Sequence, residues 1–397
     1  QFSFNSNYGS QIVMNKIGVL NATEYGAIIN EGSVTAGGDI IFPDLSVLGV
    51  GTNWQDQIFE TAGISSHTLT VKGGSENVGY FLSGGYLFQG GIVGGNDKSN
   101  FNRANFTANL DFDLTKRLKF ILNSNYVNIQ SKTVQENSFN SIIGSALNFD
   151  PTVPVYNTNP NTVGKYGYSD LLLSEIFNPL TKLQNTHNES NGNKFFGKGE
   201  LQYSILDNLK INTRLGYVKW DQVGKSFTPL VFYGPYNVEN TMNADGSTVE
   251  GKHNSVNEYS NSNFNFTYET FANYNVKILE NHNIDAVLGF SLSKSTSSGF
   301  STTRQDVPFN SWSFADISSA TGENSATNTN AFVGSSWQGL TRRNLSYFGR
   351  INYDFSEKYL FSVSARRDGS IAFGSDNKFA NFFAGSVGWI VTNEDFM

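Results

Sequence analysis

The sequence contains no cysteine, so it can form neither a disulfide framework nor a thiolate metal site. Histidine is nearly as rare: His67, His187, His253 and His282 are the only four. No two of them have metal-ligand spacing, and no Asp/His pair is forced together by the sequence. His282 falls in a short turn and His187 and His253 in long loops, where each reads as a solvated polar side chain. An enzyme is therefore not expected, and neither a cofactor nor a metal is implied. Residues 94–100 have the look of a Ca²⁺ loop but lack its alternating acids and terminal Glu. Charged residues make up only 15% and the net charge is −7 without a basic cluster, which argues against nucleic-acid binding. Proline is limited to 8 residues and falls largely in polar stretches, as at Pro151, Pro160, Pro229 and Pro308, the distribution a sheet requires. No apolar run approaches the roughly 18 residues of a transmembrane helix. No signal peptide opens the chain, although export would already have removed one.

Aromatics, by contrast, are abundant: 33 Phe and 18 Tyr, 14% of the chain with Trp included, alongside a mean hydropathy of −0.32. Alternating strands reconcile the two values. At Phe106, Ala108, Leu110, Phe112 and Leu114 the chain is apolar, while Thr107, Asn109, Asp111 and Asp113 between them are polar. Side chains alternate across a strand, so this limb has one apolar and one wet face. It returns through Leu118, Phe120, Leu122 and Tyr126. Each limb runs about ten residues, the length that crosses a bilayer when tilted.

The pattern recurs at Leu69–Val71 with Val78–Phe88, at Leu201–Ile205 with Leu209–Tyr217, at Phe264–Ile278 with Ile284–Leu292, at Ile351–Phe355 with Tyr359–Ala365, and at Phe383–Val391. Phe271 is the one apolar residue out of step in its strand. About eleven antiparallel strands follow. Short turns alternate with long polar loops at about 89–103, 129–194, 221–261, 295–344 and 369–379. Brief turns on one edge and long loops on the other describe an outer-membrane barrel, and loops this long count against a soluble domain. The expected fold is an all-β, antiparallel transmembrane barrel. An odd strand count does not close a single-chain bacterial barrel, so the chain is expected to be a piece of a longer protein.

Arg350-x-Asn352-Tyr353, Lys358-Tyr359 and Arg366-Arg367-Asp368-Gly369-Ser370 resemble motifs of the SusC/RagA family of TonB-dependent outer-membrane transporters. Gly388-Trp389 and Glu394-x-Phe396 are similar to the family's continuation, as are Asn53-Trp54 within 52–59, residues 83–93, Asn21 to Tyr25 and Asn178 to Leu180. The chain departs from the family at Ile371-Ala372, where a small or basic pair is usual. The resemblance implies half of a plugged barrel of about 22 strands. Residues 1–60 would be the end of the plug and its linker, and 61–397 the first half of the barrel. It also implies active import of an oligosaccharide or oligopeptide across the outer membrane of a Gram-negative, Bacteroidota-like bacterium. The implied partners are a SusD-like lipoprotein lid, TonB through an N-terminal segment this chain lacks, outer-membrane lipid and the remainder of the same barrel. A passive porin or inactive scaffold, and a surface adhesin or binding module, are the alternatives.

Ligand or lid contacts are expected among loop aromatics, whose faces stack on sugars or hold peptide side chains: Tyr166, Tyr168, Trp220, Tyr233, Tyr236, Trp312 and Trp337. The bland reading is that they pack the loops together. Trp54 is expected to be a packing anchor, and Arg366 and Arg367 to mark a strand end at the outer rim before a turn at Asp368-Gly369.

Overall fold

The computed structural model describes residues 1–171, 175–374 and 376–397. Residues 172–174 of the expected 129–194 loop and Ser375 of the 369–379 loop lie outside the described residues. The alternating segments form one antiparallel sheet of 13 strands. These are β1 (Phe2–Gln11), β2 (Ala62–Gly74), β3 (Val78–Gly90), β4 (Asn100–Asp113), β5 (Leu118–Lys132), β6 (His187–Leu206) and β7 (Leu209–Thr228). They continue as β8 (Ser255–Ile278), β9 (His282–Gln305), β10 (Phe332–Gln338), β11 (Arg342–Phe355), β12 (Tyr359–Ser370) and β13 (Phe379–Trp389). Neighbours in sequence are neighbours in space, except that β9 pairs with β11 along its lower part and with β10 along its upper part. The sheet is unclosed, with β1 and β13 at its edges.

β1 and β10 are the two strands that the alternation does not announce. β10 is seven residues long and pairs only with the far end of β9, from Phe332 opposite Arg304 to Gln338 opposite Ser298. β1 redraws the segment expected to end a plug. It pairs along its full length with β2, from Phe2 opposite Val71 to Gln11 opposite Ala62. Gln11 and Ala62 therefore meet at the end of the sheet where β3 gives way to β4 and β5 to β6. Residues 12–61 are thus a further long connection at the long-loop end. They carry α1 (Ala22–Thr35) and α2 (Trp54–Ile58). Asn21 and Glu24 close a reciprocal capping box at the start of α1.

The expected loops are also too long. β6 and β7 have 20 residues each, β8 and β9 have 24. At about 3.3 Å per residue these strands reach some 65–80 Å, well beyond an apolar band about 25 Å tall. The loops shrink accordingly to 91–99, 133–186, 229–254, 306–331 and 371–378. Hydrophobic alternation marks only the part of a strand with one apolar face. Where both faces are wet, as in Asn188 to Asn193, the strand continues without it.

At the other end the turns are tight. Leu279-Glu280 and Ser356-Glu357 each take two consecutive positive φ angles within three-residue connections, a left-handed backbone that suits the twist of the flanking strands. Asp354 steadies the second by accepting from the Glu357 amide at 2.8 Å.

The register places each apolar row on one face. Phe112 stacks on Phe120 at 6.2 Å, and Leu110 lies opposite Tyr80 and Leu122. This outward face is uncovered: Leu288 is 73% exposed and Val387 79%. An apolar belt of that extent needs a partner, and lipid supplies it. The opposite face bonds to itself, with Thr107 to Asn125 at 2.8 Å, Asn123 to Asn109 at 2.9 Å and Asn212 to Asn273 at 2.8 Å.

Candidate functional site

The long connections gather at one end of the sheet into a built structure. Asn53 caps α2 by accepting from the Gln55 amide at 3.1 Å, which points Trp54 inward. Trp54 is 2% exposed, donates its Nε1 hydrogen to the Asp150 carbonyl at 3.0 Å and meets the Phe149 ring edge-on at 5.1 Å. Around it pack Ile58, Val93, Ile142, Ala146 and Leu183, from residues 12–61, 91–99 and 133–186. Ile142 and Ala146 lie on α3 (Ile142–Asn148), and Leu183 on α4 (Pro179–Gln184), which Asn178 caps. The Asp150 carboxylate is buried but satisfied by the Thr152 amide and hydroxyl and by Ser169 at 2.7 Å. Gly51 lies where a Cβ would sit 2.3 Å from the Pro151 carbonyl oxygen, so this close approach requires glycine.

Beside Trp54 opens a cavity of about 570 Å³ lined by Ile17, Leu20, Tyr25, Trp54, Phe149 and Pro151. Burial, with the Asp150 carboxylate adding to it, pushes the Tyr25 hydroxyl up to about 12. That hydroxyl is buried and has no hydrogen-bond partner among the described residues. The sequence reading missed this cavity. Its only trace there was the match at Asn21 to Tyr25.

The expected contact aromatics divide into two groups. Tyr168 meets Phe232 edge-on at 5.4 Å, and Tyr233 stacks on Phe177 at 4.8 Å, so both clamp residues 133–186 to 229–254. Burial and then Glu239 push the Tyr233 hydroxyl up to about 12. Trp312 stacks on His187 at 5.0 Å, with Lys225 Nζ 4.5 Å from the ring centre. Tyr166 stacks on Tyr156 at 6.0 Å with Lys165 beside it. Tyr236 and Trp337 remain 56% and 46% exposed. Trp220 is not in a loop: it lies on β7 with its ring over Gly192, on the inward face.

The histidines are not simply solvated. Besides the stacked His187, His282 shares a 2.6 Å hydrogen bond with the Tyr353 hydroxyl. His253 bonds to Asp306 at 2.7 Å, and His67 to Ser6 at 2.9 Å. No group of three His, Asp or Glu that could hold a metal ion occurs among the described residues.

The inward wall carries an ionic cluster. The Glu200 side chain is 2% exposed and accepts from Arg214 Nε at 2.8 Å, Lys198 at 3.2 Å and Gln202 at 2.7 Å. Arg214 also lies 4.6 Å from the Phe271 ring centre, and Phe271 faces Phe348 at 6.5 Å across Gly289. Phe271 therefore breaks the alternation because it belongs to the inward face.

The motif residues split by parity. Arg350 and Asn352 point inward, and Asn352 accepts from Ser362 at 2.8 Å, while Tyr353 points outward. Arg366 pairs with Asp368 at 2.6 Å on the inward face. Arg367 lies outward, 4.9 Å from the Phe379 ring centre, and Gly369 leaves the outward row without a side chain. Asp368 and Gly369 are still strand; the turn begins after Ser370, whose amide donates to the Lys378 carbonyl at 2.9 Å. At the short-turn end, Glu394 accepts from Trp389 at 2.9 Å and Tyr359 at 2.7 Å and pairs with Lys358 at 3.1 Å.

No family model matches the chain. It is 29% identical over 402 residues to TonB-dependent receptor P3 of Formosa agariphila, covering 99% of this chain and 36% of that protein. It is 28% identical over 417 residues to TonB-dependent receptor SusC of Bacteroides thetaiotaomicron, covering all of this chain and 37% of that receptor. The chain thus spans little more than a third of these relatives. Among solved structures, the RagAB peptide transporter superposes with a TM-score of 0.78 at 17% identity, over 100% of this chain and 45% of the transporter chain. The relatives are receptors and transporters, not enzymes.

Proposed function

We propose, from a chain that is SusC/RagA-like over its whole length, that it builds one wall and several outer connections of a TonB-dependent nutrient importer in the outer membrane. The observation that carries this reading is the division of the sheet. One face is an uncovered apolar belt, the other a hydrogen-bonded polar wall, and the long connections pack together at one end. Such a sheet fits between lipid and a filled lumen. The chain spans little more than a third of these relatives, so the closed barrel, its plug and its TonB contact are proposed for the whole protein. The inward Glu200–Arg214 cluster suits a wall that faces a protein plug, because its charges need polar neighbours rather than lipid.

The nutrient is an oligosaccharide or oligopeptide; the likeness to a peptide transporter supports the second. A SusD-like lipoprotein closes the outer mouth, where Tyr236 and Trp337 are exposed and free to meet ligand or lid. Uptake of labelled oligomers by cells carrying the full-length protein tests this. Uptake should stop when TonB is deleted, and a lipoprotein should co-purify with the barrel. Uptake independent of TonB, or steady ionic conductance of the purified barrel in a planar bilayer, would replace this reading with a passive porin.

A further inference from the structure

We propose that an outward-facing groove across β8, β9, β11, β12 and β13 holds a phosphorylated, acylated lipid of the outer leaflet. The groove encloses about 450 Å³ between Phe266, Leu292, Leu345, Gly369, Ile371 and Phe379. Its residues come together through the ladder. Leu345 lies opposite both Leu292 and Gly369, and Gly369 opposite Phe379. All four have the outward parity of Leu288 and Val363. Gly369 has no side chain, and the Phe379 ring takes up the space beside it, 2.4 Å from where a Cβ would sit, which leaves the groove open between Phe379 and the Leu345–Leu292 row. The result is a slot that an acyl chain can fill.

Its height is set by residue count. Leu292 is ten residues above His282, Leu345 ten above Phe355, Gly369 ten above Tyr359, and Phe379 ten from Trp389. Ten residues at about 3.3 Å on a strand tilted about 40° rise some 25 Å, the full height of the apolar band. The slot therefore sits at the outer interface, opposite the Trp389, Tyr359 and Phe355 aromatics at the inner one.

Charge identifies the occupant. Lys294, Arg343 and Lys378 line the slot at this level, and Arg367 lies over Phe379. Lys294 and Arg343 face each other across the β9–β11 ladder. No carboxylate among the described residues lies within ion-pair distance of these four. At the inner end, by contrast, Lys358 is paired with both Glu394 and Asp395. Unpaired cations above an apolar slot complement an anionic headgroup above its acyl chain, with each cation worth about fivefold in affinity near an anionic lipid surface. A neutral lipid would leave them uncompensated.

This inference rests on the outer-membrane reading, and its test separates the two. The full-length protein, extracted in mild detergent and stripped of lipid, is incubated with bisphosphorylated lipid A, with dephosphorylated lipid A and with phosphatidylethanolamine. Bound lipid is counted by native mass spectrometry. The phosphorylated form should be retained at least about tenfold better than the other two. The variant K294Q/R343Q/K378Q should lose about tenfold or more of that retention, given three cations at about fivefold each before screening. Lys116→Gln with Lys210→Gln, near the short turns, should leave it unchanged. Equal retention of the dephosphorylated lipid, no loss in the triple variant, or displacement by millimolar inorganic phosphate would overturn the proposal. Membrane fractionation and heat-modifiable migration are read in the same preparations. If the wild type fails these, the outer-membrane reading falls; if it passes and binds no phosphorylated lipid, only the groove proposal falls.

Discussion

Leu110→Arg should impair assembly of the barrel far more than Asn109→Arg, although the two residues adjoin. Leu110 points outward between Tyr80 and Leu122, and Asn109 points inward, accepting from Asn123 at 2.9 Å. Both lie about four residues above the 115–117 turn, a rise of about 10 Å at a tilt near 40°. That is close to the middle of an apolar band about 25 Å tall, where an outward Arg costs about 2–4 kcal/mol. The equilibrium between assembled and unassembled protein then shifts by roughly 30- to 1,000-fold. Inward, the change loses one neutral hydrogen bond, about 1 kcal/mol, and the new guanidinium has Asp111 two residues away on the same face. The assay is refolding of the full-length protein into liposomes across a urea series, with the folded fraction read from its heat-modifiable band. Equal midpoints for the two variants would mean that the faces are reversed or that lipid does not cover the outward one.

Three further outcomes follow from the outer end and the wall. Trp54→Ala removes a ring that is 2% exposed and its bond to Asp150. It should cost the packed connections about 3–5 kcal/mol, seen as rapid protease nicking within 12–61 while the heat-modifiable band stays intact; an uncut chain would show that Trp54 is not their anchor. Arg214→Met leaves Glu200 buried with only Lys198 and Gln202 as partners. It should destabilise by about 1–3 kcal/mol, and Glu200→Gln added to it should recover part of the loss in the same urea series. Tyr236→Ala with Trp337→Ala removes two exposed aromatics, so uptake or lipoprotein co-purification should fall several-fold at unchanged barrel yield; no change in either would remove both residues from the candidate contacts.

Much of the sheet was legible because side-chain alternation is local. Phe106 to Leu114 shows its two faces without reference to any other residue. The same locality explains what was missed. Asn188 to Asn193 is strand by virtue of its partners Asp221 to Ser226, and nothing in its composition says so. Phe2–Gln11 belongs to the sheet because β2, some 60 residues later, supplies its ladder partners from Val71 to Ala62. The candidate site was less legible still. Trp220 lies on the polar extension of β7, where the sequence alternation no longer distinguishes strand from loop. Tyr168 and Tyr233, expected among the contacts, each pack one connection against another, which only the fold reveals. The Tyr25 cavity could not be foreseen, since its walls come from segments more than 120 residues apart.

By itself the sequence determined the class of structure: an amphipathic antiparallel sheet with tight turns at one end and long connections at the other. A period of two and the spacing of turn residues are properties of adjacent positions, so a single strand reveals them. The tertiary structure alone decided which face Phe271 serves, which carbonyl Trp54 finds 96 residues away, and where four unpaired cations meet an apolar slot. Those are matters of register between distant strands, and register is set by the whole ladder rather than by any one of its rungs.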